Sequence, residues 1–246
     1  QRPPYTALGY KNNEGELVNK ENGLKYIRND HIVAGIEYLP NDKSKFTVEG
    51  FYKMYDSYPF SVNDSIALAS KGGDVGPYGD EEILSISKGR TYGFEVLAQE
   101  KNIKGFNVIL SYTFVRSEFQ DFWGTYIPSA WDNKHILNIT VRKTFKRNWD
   151  IGAKWRFVGS SPYTPYDEET SSIRPAWDAR NFPYPDYSQF NTLRYSSFNQ
   201  LDLRIDKEYY FKKWSLNVYV DIQNVLNFKA EQQDILTNLD PDGNPN

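Results

Sequence analysis

The chain offers few groups that could carry out a reaction. Its 246 residues include no cysteine and two histidines, so it holds no thiol nucleophile and no Cys-based zinc site. Asp202 and Asp206 share one face of a predicted strand, the kind of carboxylate pair that acid–base catalysis uses. Arg204 lies between them and would keep both ionised. We therefore expect a structural role for this pair and predict that the protein is not an enzyme.

Metal ligands are equally sparse. His31 and His135 each begin a predicted strand after a loop, without a second histidine or a cysteine nearby. The glycine-rich stretch 71–82 lacks the ligand spacing of an EF-hand calcium loop and the ending of a phosphate-binding loop. The acidic runs at 80–82 and 167–169 offer at most a weak site for a divalent ion. We expect no metal and no cofactor. The histidines are predicted at a membrane interface and the acidic runs on a solvated surface.

Aromatic side chains are the strongest candidates for binding. Residues 159–197 carry several rings with charged residues between them, and flat rings with polar neighbours suit sugars, peptides or metal chelates. The alternative is that the rings pack against one another as a lid. The predicted substrate-binding residues are Tyr163, Tyr166, Trp177, Tyr184 and Tyr187.

Strands must position these groups, because apolar residues recur at every second position in eight segments between about residue 31 and residue 223. The segment 149–157 is typical, since Ile151 and Trp155 lie on one face and Lys154 on the other. The apolar faces carry no charge. The charged residues predicted on the polar face, which would line the lumen of a barrel, are Glu95, Arg142, Lys154, Arg156, Asp202, Arg204, Asp206 and Asp221.

Short and long connections alternate between these strands. Tight turns are predicted at 40–43, 101–105, 146–148 and 210–212, whereas long loops span 59–89, 117–133 and 159–197. Alternating turns and loops, strands of about 9–13 residues and aromatic residues near strand ends are typical of an outer-membrane barrel. We expect all three long loops at one end. The mean hydropathy of −0.69, without a run of about 20 apolar residues, excludes transmembrane helices.

The net charge and the first ten residues bear on the protein's partners and on its N-terminus. The net charge of −3 argues against a nucleic-acid partner, because such proteins are usually basic. The first ten residues lack the basic start and apolar core of a signal peptide. We therefore expect a processed terminus or one internal to a longer protein.

Six motifs then carry a family resemblance. They lie at 89–95, 111–113, 128–135, 159–167, 200–207 and 221–227, and include the sequences GRTYGFE, PSAWDNKH and QLDLRIDK. In this order and spacing they resemble the C-terminal half of the barrel of TonB-dependent outer-membrane receptors. The variety with a carboxypeptidase-regulatory-like domain before its plug is the most similar.

The resemblance implies an all-β, antiparallel up-and-down meander that forms part of a large transmembrane β-barrel of about 22 strands in the bacterial outer membrane. Such a barrel has short periplasmic turns, long extracellular loops and an N-terminal plug, on which TonB pulls. The implied function is uptake of a large nutrient: a siderophore, cobalamin, a glycan or a peptide. The implied partners are outer-membrane lipid, the plug and further barrel strands, TonB through the plug, and a surface lipoprotein, but no nucleic acid.

The plug and an aromatic final residue, two hallmarks of the family, are not found in this sequence. We therefore expect that this chain alone neither transports nor contacts TonB. Residues 1–30 are predicted as an extracellular loop, 31–227 as eight strands of an incomplete barrel (roughly strands 14–21), and 228–246 as the start of a further extracellular loop. Both edges of the sheet would then need partner strands.

Two other interpretations remain open at the level of sequence. One is a soluble or surface β-rich glycan-binding module, and the other is a porin without a plug. The orientation of the apolar residues discriminates between membrane and soluble proteins: Ile151, Trp155, Leu216 and Val218 should form an exposed belt in a membrane wall and be buried by a second sheet in a soluble module.

Overall fold

The computed structural model describes residues 5–71 and 81–234. Eight long strands dominate it. They are β1 (Arg28–Asn41), β2 (Ser44–Ser61), β4 (Ile83–Ile103), β5 (Phe106–Gln120), β7 (Lys134–Phe145), β8 (Trp149–Val158), β11 (Phe198–Tyr210) and β12 (Ser215–Ile222). Four short strands lie in the connections: β3 (Ile66–Ala67), β6 (Tyr126–Pro128), β9 (Pro162–Tyr163) and β10 (Leu193–Arg194).

Helical segments are short and occur outside the long strands. They are α1 (Val18–Glu21), α2 (Leu68–Lys71), α3 (Glu168–Ser171), α4 (Arg174–Arg180) and the 3₁₀ turns Tyr5–Gly9 and Tyr187–Gln189. In the described ranges, no helix has the length and apolar character needed to cross a membrane.

The long strands form one antiparallel meander in the order β1-β2-β4-β5-β7-β8-β11-β12. Each strand pairs with the next long strand along the chain, as the four predicted hairpins require. The predicted fold class, an all-β antiparallel up-and-down meander, is confirmed. Within residues 5–71 and 81–234, no ladder joins β1 to β12, so these two strands are the edges of an open sheet.

The strands extend further at the long-loop end than periodicity predicts. β2 continues to Ser61 and β4 begins at Ile83, so the loop predicted at 59–89 is shorter. Two side contacts explain the extension: β3 pairs with the end of β2, and the buried Asn19 accepts a 2.8 Å hydrogen bond from the Ile83 amide. Residues 72–80 of the predicted glycine-rich stretch lie outside the described residues.

The small hydrophobic core also lies at this end. Ala7, Leu68 and Ile83 form one buried cluster with Leu24 against it. A second cluster joins the buried Ala67, Ala69 and Phe119 to the partly buried Tyr55 and Tyr58. Both clusters pack the loop segment that contains α2 against the sheet. The opposite, short-turn end has no comparable core in the described part of the chain.

Glu81, in the acidic run at 80–82, does not lie on a solvated surface as predicted. Glu81 is buried, accepts 2.7 Å hydrogen bonds from Lys71 and is also hydrogen-bonded by Ser61. Lys71 contacts Asp64 as well, so one cation neutralises two carboxylates. The prediction is wrong for Glu81 because the loop folds back on β2.

A glycine allows two neighbouring strands to lie close together. A Cβ added to Gly93 on β4 would lie 1.9 Å from the Phe114 carbonyl oxygen on β5 and 3.0 Å from the Phe51 ring. The first of these atoms belongs to the backbone, which cannot rotate away. Gly93 is therefore required by the spacing of β4 and β5.

Replacing Gly93 with alanine should therefore destabilise the sheet by about 1–3 kcal/mol, the usual cost of overpacking. Gly50→Ala is the matched control on the neighbouring strand, because its Cβ would meet nothing closer than 4.0 Å. The measurement is the urea midpoint of the whole receptor refolded into lipid vesicles. Equal midpoints for the two variants would contradict this account of the strand spacing.

Candidate functional site: the loop cap and the two faces of the sheet

The long connections meet at one end of the sheet. The Asn191 side-chain amide donates to the Ser70 carbonyl and to the Pro128 carbonyl, both at 2.8 Å, and so joins all three long loops. The Gln233 amide donates to the Thr164 carbonyl at 2.8 Å, which adds the segment after β12. The shared end agrees with the prediction. We refer to residues 62–71, 121–133, 159–197 and 228–234 as the loop cap.

A buried carboxylate lies at the centre of the loop cap. Asp132 is fully buried and accepts hydrogen bonds from Arg116 Nε (2.9 Å), the Ser117 amide (2.9 Å) and Arg194 Nη2 (2.6 Å). Arg194 also donates to the carbonyls of Asp132 and Ser160. One aspartate therefore connects β5, the 121–133 loop and the 159–197 loop.

The charged cluster continues beyond Asp132. Glu118 on β5 accepts from Arg116 at 2.8 Å and from Arg90 on β4 at 2.9 Å. The Arg90 guanidinium stacks on the Tyr126 ring at 4.0 Å. Sequence reasoning missed all of these residues as site residues and noted Arg90 and Asp132 only inside longer motifs. The sequence did contain a signal for this cluster: Arg116 and Glu118 are charged residues at the end of a strand face that is otherwise apolar.

The five rings predicted to bind substrate lie together in the 159–197 loop and make contacts within it. Tyr163 stacks on Tyr195 with centroids 4.3 Å apart, and the Tyr184 hydroxyl donates to the Ala176 carbonyl at 3.3 Å. Tyr166 meets Phe182 edge-to-face, Tyr187 stacks on Phe190, and Trp177 lies half-buried on α4. The most exposed rings of the loop cap are elsewhere, on Phe122, Trp123 and Trp131.

Two aspartates order the backbone of this loop. Asp167 caps α3 by accepting from the Thr170 amide at 2.9 Å and from its hydroxyl at 2.5 Å. Asp186 accepts from Ser188 and Gln189. The hydrogen bonds from Thr170 and Ser188, respectively, lower the pKa of each carboxyl below its usual value. Burial raises the pKa of the Tyr195 hydroxyl, which stacks on Tyr163.

The strand register places the eight charged residues predicted for a lumen on one face of the sheet, which we call the polar face. Arg142 pairs with Asp150 at 2.7 Å, and Arg204 with Asp206 at 2.7 Å. The Asp202 carboxylate accepts from the Asn224 amide at 2.9 Å. Among the described residues, no salt bridge engages Glu95, Lys154, Arg156 or Asp221.

Two like charges oppose each other on the polar face. Glu49 of β2 and Glu95 of β4 are directly opposite in the ladder, and both are exposed. Like charges in this arrangement destabilise a sheet. Neither carboxylate forms a salt bridge with any residue in the described part of the chain. The pair therefore forms a local concentration of negative charge on the wall.

The other face of the sheet, the apolar face, is uncovered along its middle. Ile151, Leu216 and Val218 are exposed and Trp155 is half-buried. In the described ranges the second sheet consists of only β9 and β10, each two residues long, so no second sheet packs on these side chains. This arrangement meets the expectation for a membrane wall and excludes a sandwich within the described residues.

The histidines were predicted at an interface without a metal. His135 lies on the apolar face, where its Nδ1 is 2.8 Å from the Tyr112 hydroxyl and its ring contacts Phe114. His31 is exposed on the edge strand β1. No group of three or more His, Asp or Glu side chains with metal-binding geometry occurs in the residues that the structure describes.

Comparison with known protein families identifies the family of this chain. The profile described as "TonB dependent receptor-like, beta-barrel" matches residues 1–225. The chain belongs to this family. Its members' barrels lie in the outer membrane of Gram-negative bacteria, which places this receptor barrel there. A search of curated proteins returns no match.

Solved structures agree on the fold. The ferripyoverdine receptor of the outer membrane of Pseudomonas aeruginosa is similar with a TM-score of 0.57 and 16% identity, over 89% of this chain and 25% of that one. The ferric-catecholate import receptor Fiu from Escherichia coli has a TM-score of 0.56 and 13% identity, over 85% of this chain and 24% of that one. The FrpB iron transporter from Neisseria meningitidis has a TM-score of 0.56 and 15% identity, over 84% of this chain and 28% of that one. This receptor barrel segment spans about a quarter of these proteins' length.

Asp132→Asn should loosen the loop cap. Removal of one partner from a buried ion pair costs about 3–5 kcal/mol, and here two arginines would lose their carboxylate. Limited proteolysis of the whole receptor should cut the 159–197 loop at least tenfold faster than in the unmodified protein.

Asp178→Asn is the matched control in the same loop, because its contact with Arg174 is 3.9 Å long and exposed. Equal cutting rates for Asp132→Asn and Asp178→Asn would show that Asp132 does not hold the loops together.

Proposed function

We propose that this chain is a wall segment of a TonB-dependent importer. The apolar face meets outer-membrane lipid, the polar face lines the lumen, and the loop cap lies outside the cell. The observation that carries the proposal is the contrast between the two faces: the middle of the apolar face is exposed and uncharged, whereas the polar face holds ion pairs and unpaired charges. Only a wall between lipid and water requires both.

The proposed domain boundaries follow from contacts. Residues 1–30 and 228–246 are assigned to the extracellular side because their described parts contact the loop-cap end, through Asn19 at Ile83 and Gln233 at Thr164. Residues 31–227 are assigned to the eight barrel strands, of which β1 begins slightly earlier, at Arg28. Residues 235–246 lie outside the described residues. Further barrel strands would pair with the free edges of β1 and β12.

The proposed cargo is a large nutrient that the outer membrane does not pass by diffusion: a siderophore, cobalamin, a glycan or a peptide. Two of the similar structures are receptors for ferripyoverdine and for ferric catecholate, which favours a chelate of this size. Tyr163, Tyr166, Trp177, Tyr184 and Tyr187 would form the substrate-facing surface of the loop cap. Four of these rings are half-buried and Tyr187 is exposed, and the ring contacts of Tyr163, Tyr166 and Tyr187 within the loop support a preformed surface. The wall itself carries out no chemical reaction.

The proposed partner of the polar face is the plug domain. Glu49 and Glu95 repel each other and have no cation among the described residues, so a basic plug side chain at this position would relieve the repulsion. Lys154 and Arg156 would in turn form ion pairs with acidic residues of the plug. TonB would act through the plug, and a surface lipoprotein could cover the loop cap. This demand for opposite charges favours a plugged importer over an open porin.

The membrane wall is tested by adding a charge to the apolar face. Val218→Arg should lower the stability of the barrel by about 2–4 kcal/mol, because the new charge would lie in lipid near mid-bilayer. Assembly is measured as heat-modifiable mobility of the whole receptor in outer-membrane fractions.

Asn217→Arg is the matched control, one residue away on the opposite face of β12. It should assemble normally, since the polar face is in water. Normal assembly of Val218→Arg together with failure of Asn217→Arg would reverse the assignment of the faces. Normal assembly of both variants would contradict the proposal that this sheet is a membrane wall.

The plug contact is tested at the opposed glutamates. The double variant Glu49→Gln and Glu95→Gln should weaken the hold on the plug by about 2–5 kcal/mol, as truncation of buried charge pairs does. Cells should then admit large antibiotics that the plugged receptor excludes. Growth inhibition by such an antibiotic is the measurement.

Glu37→Gln is the control on the same face, because Glu37 already pairs with Lys45 at 2.5 Å. If the double variant gains stability and remains impermeable, the glutamates have no cationic partner and the plug assignment is wrong.

A further inference from the structure

The four short turns of the meander are rich in cations. They span residues 42–43, 104–105, 146–148 and 211–214. Their only carboxylate is Asp42, although the whole chain carries a net charge of −3. All their cations are exposed, and none forms a salt bridge in the part of the chain that the structure describes. These cations, which we call the basic rim, are Lys43, Lys104, Lys146, Arg147, Lys212 and Lys213.

Two of these cations have a backbone conformation that other residues adopt more easily. Lys104 and Arg147 have φ angles of 52° and 63°, in the left-handed region. Each is followed by a second residue with a positive φ, Gly105 or Asn148. Hairpin turns of this kind favour asparagine, aspartate or glycine at such positions. The geometry of the turns therefore does not explain these long cationic side chains, whereas a role for their charge does.

Backbone hydrogen bonds join the turns into one row. Each of the first three turns is bonded to the strand that follows its hairpin. The donor amides and acceptor carbonyls are Lys101 to Lys43 at 2.9 Å, Thr144 to Gly105 at 3.1 Å, and Glu208 to Asn148 at 3.0 Å. Neighbouring turns are two strands apart, which is about 10 Å, so the four turns span about 30 Å. The basic rim is therefore a regular row of cations on a fixed edge.

The basic rim extends past the aromatic rings that end the apolar face. Phe145 and Trp149 form the last ladder pair before the turn at 146–148, and both rings are exposed. Phe211 and Trp214 flank the two lysines of the last turn and stack at 4.0 Å. Aromatic residues mark the boundary between lipid and water in outer-membrane barrels. Under the proposed function, the tips of these turns therefore lie in the periplasm.

We propose that the basic rim docks the barrel on peptidoglycan, the carboxylate-bearing polymer of the cell wall. The peptides of this polymer repeat their carboxylates along its length, and a regular row of cations suits repeated charges better than one small anion. A single exposed ion pair contributes little. Several such contacts on one fixed row act together, because each one brings the next within reach. The inference rests on the proposed function, since only that orientation turns the basic rim toward the wall.

The depth of the charges favours the wall over an anionic phospholipid. A lipid phosphate of the inner leaflet would lie at the level of the aromatic rings, where Lys143 stacks on Phe106 at 4.0 Å. The basic rim lies past this level. Contact with the wall also suits an importer whose plug is pulled inward by TonB, because the pull is transmitted to the barrel and the wall beneath it resists.

The test is co-sedimentation of the whole receptor, in detergent, with purified peptidoglycan. The comparison probe is the same peptidoglycan after its carboxyl groups have been converted to neutral amides. The receptor should sediment with the native polymer and bind the amidated polymer at least tenfold more weakly. Salt at about 1 M should also release the receptor, because the Debye length then falls to about 3 Å.

A fourfold variant locates the contact: Lys146→Gln, Arg147→Asn, Lys212→Gln and Lys213→Gln. It should bind native peptidoglycan at least tenfold more weakly than the unmodified receptor. Asparagine suits the positive φ of residue 147, so the turn is retained.

The matched control removes the same charge from exposed lysines on the loop-cap side and should leave binding unchanged. Its substitutions are Lys11→Gln, Lys20→Gln, Lys25→Gln and Lys229→Gln. Heat-modifiable mobility checks that both variants assemble. The comparison of native with amidated peptidoglycan uses the unmodified receptor, so it is decisive even if the rim variant does not assemble.

Equal binding of native and amidated peptidoglycan, or equal losses for the rim variant and its control, would overturn the wall contact. Retained wall binding by the rim variant, with loss of bound phosphatidylglycerol in native mass spectrometry, would overturn it in favour of the inner leaflet. Both results would leave the proposed function intact, because the Val218→Arg test does not involve the turns. Normal assembly of both Val218→Arg and Asn217→Arg would instead refute the proposed function, whatever the receptor binds.

Discussion

The register between neighbouring strands is the constraint on which the rest of the structure depends. Side chains alternate across a strand, so a slip of one residue would exchange the two faces completely. The ladder from β1 to β12 places Val218 on one face and Asp221 on the other, and within residues 5–71 and 81–234 no second sheet covers either side chain. The close approach of Gly93 to Phe114 limits how β4 and β5 can slide. The separation of apolar from charged surface is therefore a property of backbone pairing.

Much of the sheet could be predicted because its signals are local. Alternation over 149–157 is sufficient to assign β8 and its two faces, and the tight turn at 146–148 is sufficient to pair it with β7. The extension of β2 to Ser61 and of β4 to Ile83 could not be predicted in this way. It depends on Asn19, which is 64 residues away from Ile83 in the sequence. The ends of the strands are therefore determined by long-range contacts, which the local periodicity of the sequence does not reveal.

The loop cap shows the same limit for a candidate site. Aromatic composition identified the 159–197 loop, and the rings do lie there. Composition could not show that Tyr163 stacks on Tyr195, or that Asp132 is the buried centre of the cap. Asp132 is 62 residues from Arg194, and a short polar residue in a loop is usually solvated. The burial of its carboxylate becomes evident only when the arginines of two other segments are placed beside it.

Asn191 has a consequence for the order in which the molecule forms. Its amide bonds to the Ser70 carbonyl across 121 residues, whereas each hairpin closes a short loop. Contacts between distant segments form slowly, because a long chain must be ordered before they contribute. The loop cap must therefore be completed after β2 through β8 have paired correctly. A chain with one mispaired hairpin would present its loops out of reach of Asn191, so a closed cap reports that the strands beneath it are correctly folded.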